Sequence, residues 1–178
     1  MEKAAGALAR LGQVMKVVLK GIGAILICLV LLLLVFYVTG FEPHGGTPGL
    51  WLKGQPVTTP VPDWSFTDQI PVIEVQTNTW YRIPHSVHTY CVAYNGQLYL
   101  TSVYRAGLTY PNGRNWNANV ARDPHVRLKI GDKLYDRTLS YVTDPAERAA
   151  VIQLKAKKYP QQKIAPGATI NVFHVLDN

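Results

Sequence analysis

The chain has 178 residues, 48% of them hydrophobic, and a formal net charge of +7. Beyond residue 40 the basic residues outnumber the acidic ones only by 14 to 10, so most of the excess charge stands at the N-terminus. No stripe of Lys and Arg interleaved with aromatic residues occurs, which argues against nucleic-acid binding.

The run Gly21–Gly40 is uncharged and consists mostly of Leu, Ile and Val. About 20 helical residues cross the ~30 Å hydrocarbon core of a bilayer, so the run predicts a single transmembrane helix. Residues 1–20 form a basic flank, which the positive-inside rule places in the cytoplasm beside anionic lipid. Residues 41–178 are then extracytoplasmic. A cleaved signal peptide is the alternative, but the apolar run exceeds a typical signal sequence and favours an uncleaved anchor in the cell membrane.

After this helix the composition changes twice. Residues 41–71 are rich in Gly and Pro and lack periodicity, which predicts a linker. Residues 72–178 form the predicted domain and alternate β-branched and polar residues. Cys28 lies in the apolar run and Cys91 in a predicted strand, so the two cannot pair within one chain and the domain depends on its core.

The elements of this domain follow from short local patterns. Asn95-Gly96 predicts a type I′ turn between two strands, and Asp144-Pro145 predicts a capped helix start. Antiparallel hairpins with two helices indicate a small α+β barrel of about six strands. The predicted strands are Val72–Thr77, Ser86–Tyr94, Gln97–Tyr104, Val126–Ile130, Lys133–Val142 and Thr169–Leu176, and the predicted helices are Asn115–Ala121 and Pro145–Lys158.

The order of these elements and their residues resemble the flavin-binding split barrel superfamily, to which pyridoxamine-phosphate oxidases belong. The resemblance is nearest to the deazaflavin-dependent nitroreductase branch. It covers roughly residues 72–176 and is carried by a strand that ends in a serine, a Trp-x-x-Asn short helix and a later helix that ends in Tyr-Pro. The matching stretches are residues 95–102, 113–120, 122–128 and 143–160.

This resemblance implies a split β-barrel, an oxidoreductase-like activity and a homodimer. The implied cofactor is a flavin or a deazaflavin, with haem less favoured. The residues that match the branch would hold its ring at Ser102, Trp116 and Asn119, and its phosphate at Arg82 or Arg114. The resemblance also implies that the electrons pass to a small or quinone-like acceptor near the membrane.

The segment Gln76–His85 departs from the branch. Relatives of this kind carry a glycine-rich turn there, whose backbone N–H groups approach the cofactor phosphate. Here the glycines are absent, Arg82 is the one cation, and the bulky pair Trp80-Tyr81 replaces the turn. This departure supports a second hypothesis, in which the barrel has lost its cofactor and serves as an accessory or assembly subunit of a larger membrane complex.

Other chemistries are not indicated. His85, His88 and Cys91 stand three residues apart on a predicted strand, so neighbouring members of the set point to opposite faces, and no metal site is expected. Motifs of serine hydrolases, zinc proteases and phosphate-binding loops are missing from the sequence. No catalytic residue is therefore assigned from the sequence.

Overall fold

The computed structural model describes residues 2–177, and within the first helix it describes side chains from Gly12 onward. The side chains of Lys3 and Arg10, in the predicted basic flank, lie outside that part. Helix α1 runs from Glu2 to Thr39 and so begins well before the predicted apolar run. Its segment Gly12–Thr39 is long and apolar enough to cross a membrane. The remainder, from Gly40 onward, forms a second compact unit.

Six strands of the second unit close into an antiparallel barrel. The elements of this unit are β1 (Gln55–Pro56), a 3-10 helix (Ser65–Gln69), β2 (Ile73–Thr77), β3 (His85–Tyr94), β4 (Gln97–Tyr104), α2 (Asn115–Arg122), β5 (His125–Ile130), β6 (Lys133–Tyr141), α3 (Pro145–Lys158) and β7 (Thr169–Leu176). The ring runs β2-β3-β4-β7-β6-β5 and returns to β2, because β2 pairs with both β3 and β5, and β6 pairs with β7. This architecture confirms the predicted fold class.

The β3–β4 hairpin confirms the predicted turn. Asn95 has φ 52° and Gly96 has φ 76°, the two positive angles that a type I′ turn requires. Alternation along β4 then directs Leu98 and Leu100 into the main core, while Tyr99 packs in a second cluster with residues of α3 and β7. The turn thus sets which face of the hairpin lines the barrel.

Helix α3 begins as its sequence predicts. The Asp144 carboxylate accepts a hydrogen bond from the backbone N–H of Glu147 at 2.7 Å, and Pro145 follows the cap. Val151 is fully buried in a cluster with Val92 and Val172, which fixes the helix on the outside of the barrel. This helix therefore completes a second, smaller core.

Segment 41–71 lies against the barrel, although its composition predicts a linker. Leu52 and Trp64 are 1% and 2% exposed. β1 pairs in parallel with β6, and Gly49 exchanges two backbone hydrogen bonds with Ser86 of β3. A side chain at Gly49 would collide with backbone atoms of residues 41–43, so the close approach depends on glycine.

Candidate cofactor site

The barrel is split where β3 and β4 separate. These strands pair only over Tyr90–Tyr94 and Gln97–Thr101. Beyond that point, β4 pairs with β7, whereas the first half of β3 pairs with β2 on one edge and meets Gly49 on the other. The edges of β3 and β4 thus diverge, and a cleft lies beside the freed start of β3.

The cleft has a volume of about 420 Å³, within the ~300–1,000 Å³ range of small-molecule sites. Its walls come from three parts of the chain: a turn of segment 41–71, the start of β3, and the start of α2. The lining residues are Gly45, Gly46, Thr47, Pro48, His85, Val87, His88, Gly113, Arg114, Asn115 and Trp116.

Helix α2 opens into this cleft at its N-terminal end. Arg114 is the N-cap residue, has extended backbone angles, and provides no side-chain cap. The first N–H groups of a helix have no intrahelical acceptor, and the helix dipole makes this end positive. The Arg114 guanidinium donates to the carbonyl of Val103 at 3.2 and 3.3 Å, which holds its charge at the same wall. This end of the cleft is therefore suited to an anionic group.

The aromatic wall is supplied by Trp116. Its ring lies 5.2 Å from the ring of Phe173 in the barrel core and is 6% exposed. Gly113 precedes it with φ 99°, an angle that favours glycine and turns the chain into the helix. The indole therefore sits at a fixed position beside the helix start, where a planar ligand could pack against it.

Two histidines provide the polar part of the β3 wall. Burial lowers the pKa of His85, which keeps its imidazole neutral, and its Nδ1 has no hydrogen-bond partner among the described residues. His88 Nδ1 lies 3.3 Å from the carbonyl oxygen of Gly45, and its Nε2 lies 3.7 Å from a carboxylate oxygen of Glu74. The pKa of Glu74 is raised, mainly by burial and to a smaller extent by the negative charge of Glu42. His85 Nδ1 is itself almost fully buried, so a ligand in the cleft reaches it only when a neighbouring group moves.

The structure brings together two of the five predicted site residues, Trp116 and Arg114. Asn119, one turn further along α2, donates to Thr77 Oγ1 at 3.0 Å and accepts from Arg122 at 3.3 Å, so its amide ties α2 to β2. Ser102 is buried opposite Asn171, one residue beyond the last β3–β4 pair, and is not among the lining residues.

Arg82, the fifth predicted residue, is exposed in the β2–β3 loop with φ 64°. It does not line the cleft. In the same loop, Trp80 is 78% exposed and Tyr81 is 53% exposed, so the aromatic pair leaves the cleft free and projects outward.

The turn Gly45–Pro48 and His85 line the cleft but are not among the site residues that the sequence predicts. The composition of segment 41–71 predicts a linker, yet its residues His44 and Thr47 form a small antiparallel bridge beside β3. The Gly-Gly pair followed by Pro is a local turn signal, but nothing local indicates which strand the turn contacts. The sequence offers His85 only as a member of a metal cluster that strand geometry disfavours, whereas the structure places it in the wall of the cleft.

No family model matches the chain, and no curated protein is similar enough to count as a relative. Solved structures with a similar fold include an F420-H2-dependent reductase, 25% identical, covering 60% of this chain and 94% of its own length, with a TM-score of 0.44. An FAD-binding protein from Mesorhizobium loti is 12% identical; the match covers 64% of this chain and 86% of that protein, with a TM-score of 0.45. A structure described as a domain-swapped dimer is 27% identical; the match covers 60% of this chain and 80% of that one, with a TM-score of 0.45.

The closed six-strand antiparallel barrel is the architecture that the sequence resemblance predicts.

Proposed function

We propose that this protein is a membrane-anchored split-barrel protein that binds a flavin or deazaflavin cofactor in the cleft between β3 and α2 and acts as an oxidoreductase. The observation that carries the proposal is the cleft itself, which combines a positive helix end, a guanidinium and an indole ring within about 420 Å³. A bound flavin-type cofactor would supply the electron-transfer or hydride chemistry, toward a small or quinone-like acceptor near the membrane.

The residues present fit such a cofactor by their chemistry. Arg114 and the first N–H groups of α2 would bind its phosphate, as charge-assisted hydrogen bonds and helix N-termini do. The small exposed part of Trp116 would contact the cofactor ring. Neutral His85 has a buried Nδ1 without a partner among the described residues, and after a local movement it would hydrogen-bond to a polar ring edge without adding charge. Of the predicted set, Arg114 and Trp116 stay in the proposed binding role.

Ser102, Asn119 and Arg82 have other surroundings. Asn119 is engaged with Thr77 and Arg122, so a cofactor contact would require it to break an internal hydrogen bond. Ser102 is one residue beyond the paired part of β4 and could reach a ligand only from the base of the split. Arg82 would serve only a phosphate that extends beyond the cleft.

An absorbance spectrum of the purified full chain in detergent tests this proposal first. Flavins, deazaflavins and haem have distinct bands, and titration with each then shows whether the chain binds it. We expect saturable binding of flavin mononucleotide or a deazaflavin. An empty spectrum together with no binding in any of the three titrations would contradict the cofactor proposal.

A cofactor-free accessory subunit of a membrane complex is the second candidate. The exposed pair Trp80 and Tyr81 favours it, because large exposed aromatic side chains are enriched at protein interfaces. They occupy the loop that relatives with a glycine turn use for phosphate. Under this alternative, a Trp80→Ala/Tyr81→Ala double variant would lose co-purifying subunits while the barrel stays folded. Unchanged co-purification would contradict it.

The membrane location is part of the proposal. The basic flank before the apolar helix supports an orientation with the N-terminus in the cytoplasm and the barrel outside. Protease added to intact spheroplasts should then digest the barrel. Digestion only in inside-out vesicles would contradict this orientation. The split-barrel resemblance also implies a homodimer, and light scattering of the detergent-solubilised chain would measure it.

A further inference from the structure

A second cavity lies where β1 pairs with β6, and none of its residues lines the cleft. Its volume is about 240 Å³. One side is apolar and is formed by Val57, Pro60 and Leu134; the other is polar and carries Asp136, Arg137 and Asp177. The cavity thus combines hydrophobic surface with a cation, which is the composition of many small-ligand sites.

Arg137 is an unusual residue for such a wall because it is 6% exposed. It lies on β6, opposite the core residue Val126 on β5. Its guanidinium carbon is 5.6 Å from the ring centroids of both Trp64 and Tyr135. These two rings cover the charged group and hold it in place through cation–π contacts. Its orientation is therefore set by the barrel and not by a ligand.

The hydrogen-bonding capacity of this guanidinium is only partly used. Nη1 donates to the carbonyl oxygen of Asp136 at 2.8 Å. Nε lies 3.0 Å from a carboxylate oxygen of Asp177, but outside hydrogen-bond geometry, and Nη2 has no partner among the described residues. A buried charged donor without an acceptor costs free energy, so Nε and Nη2 are suited to a further acceptor. Both nitrogens are almost fully buried, so an acceptor from outside the chain reaches them only when a neighbouring group such as Asp177 moves.

The charges around the cavity form two opposite pairs, so an incoming anion has to take the place of Asp177 beside Arg137. Asp136 is neutralised by Arg127, which binds both of its carboxylate oxygens at 2.7 and 2.9 Å. Asp177 is half exposed and is paired with Arg137. A single carboxylate in the place of Asp177 keeps Arg137 neutralised, whereas a doubly charged phosphate would bring one excess negative charge close to Asp136.

We propose that Arg137 is the anchor of a binding site for a small monocarboxylate with a short apolar substituent. The carboxylate would accept from Nε and Nη2 together, the planar two-point geometry that a guanidinium favours. The substituent would lie against Val57, Pro60 and Leu134 in the cavity. Asp177 is then a competing internal anion that moves aside when the ligand binds.

This competition gives the sharpest test. Calorimetric titration of the full chain in detergent with butyrate, isovalerate and benzoate should show saturable binding, and inorganic phosphate should bind more weakly. Asp177→Asn removes the competing charge and should tighten carboxylate binding by about fivefold or more, as expected for coupled sites. Asp132→Asn removes one negative charge from an exposed turn and should leave the affinity unchanged.

The second variant is Arg137→Lys, which keeps the charge but loses the planar pair of donors. We expect carboxylate binding to weaken by roughly 10-fold to 100-fold, the range for a lost hydrogen bond to a charged group. Circular dichroism establishes whether this buried variant folds. If it does not, Asp177→Asn, which lies near the surface, still decides the matter.

Three results would overturn the proposal. The first is the absence of binding of every carboxylate to both the natural chain and Asp177→Asn. The second is an unchanged affinity in a folded Arg137→Lys variant. The third is an equal gain in affinity from Asp177→Asn and Asp132→Asn, which would show a general charge effect and no competition at Arg137.

Discussion

The two helices that pack on the barrel begin in different ways. Helix α3 starts with a side-chain cap from Asp144 and a proline, and its buried face joins a hydrophobic cluster. Helix α2 starts at Arg114 without a side-chain cap, and its first turn lines the cleft. A capped start satisfies its own N–H groups and contributes to folding, whereas an uncapped start beside a cavity keeps donors free for a ligand.

The same contrast exists within α2. Its C-terminal half is tied to β2 and the following loop, since Asn119 binds Thr77 and Arg122 binds the carbonyl of Asn78. Its N-terminal half, at Arg114 and Trp116, faces the cleft. One short helix therefore divides its residues between holding the barrel and forming the site.

The largest expected effect is that of Trp116→Ala, which removes the residue shared by core and cleft. The ring is 6% exposed and packs on Phe173, so its loss should lower the free energy of unfolding by about 3–5 kcal/mol. Urea denaturation of the full chain in detergent measures this. A change below about 1 kcal/mol would show that the indole is not packed as described.

Arg114→Gln should separate binding from folding. It removes the cation of the cleft but no buried contact, so we expect unchanged stability and cofactor binding weakened by about 1.5–3 kcal/mol. The matched control is Arg105→Gln, an exposed arginine in the preceding loop that does not line the cleft. Equal losses in both variants would point to long-range electrostatics in place of a direct contact.

Asp144→Ala tests the other side of the comparison. Loss of the cap should lower the free energy of unfolding by about 1 kcal/mol, the usual value for an N-cap residue. Cofactor affinity should not change, because α3 does not line the cleft. If affinity fell as much as in Arg114→Gln, the division of roles between the two helices would be wrong.

The smallest effect concerns pH. Burial lowers the pKa of His85 and of His174 in the folded chain from the ordinary value of 6.5. The unfolded chain therefore binds protons first as the pH falls through 6.5, and stability decreases there. His85→Gln should reduce this decrease but leave the part due to His174. A variant with the same pH dependence as the natural chain would contradict a neutral, buried His85.

Much of the fold could be predicted because its signals are local. Asn95-Gly96 requires positive φ at two positions, and Asp144-Pro145 specifies a helix start, so the β3–β4 hairpin and α3 have the predicted bounds within one residue. The same holds for β4 and β7. Alternation and turn chemistry determine such elements without reference to the rest of the chain.

The site was less predictable because it depends on contacts between distant segments. Trp116 and Asn119 share one helix, but only the packing of α2 shows that one lines the cleft and the other bonds to Thr77. Gly45–Pro48 carries no sign of the strand it contacts, and Gly49 pairs with Ser86 across 37 positions of sequence. Long-range pairing of this kind has no local sequence signature.

Hydrogen–deuterium exchange of the full chain in detergent, with and without flavin mononucleotide or a deazaflavin, tests the central claim most directly. A cofactor bound in the cleft should slow amide exchange in residues 45–48 and 113–117. The exchange rates of the loop 78–84 should remain unchanged. Protection of the loop 78–84 alone, or no protection anywhere at saturating cofactor, would contradict the assignment of the cleft between β3 and α2 as the cofactor site.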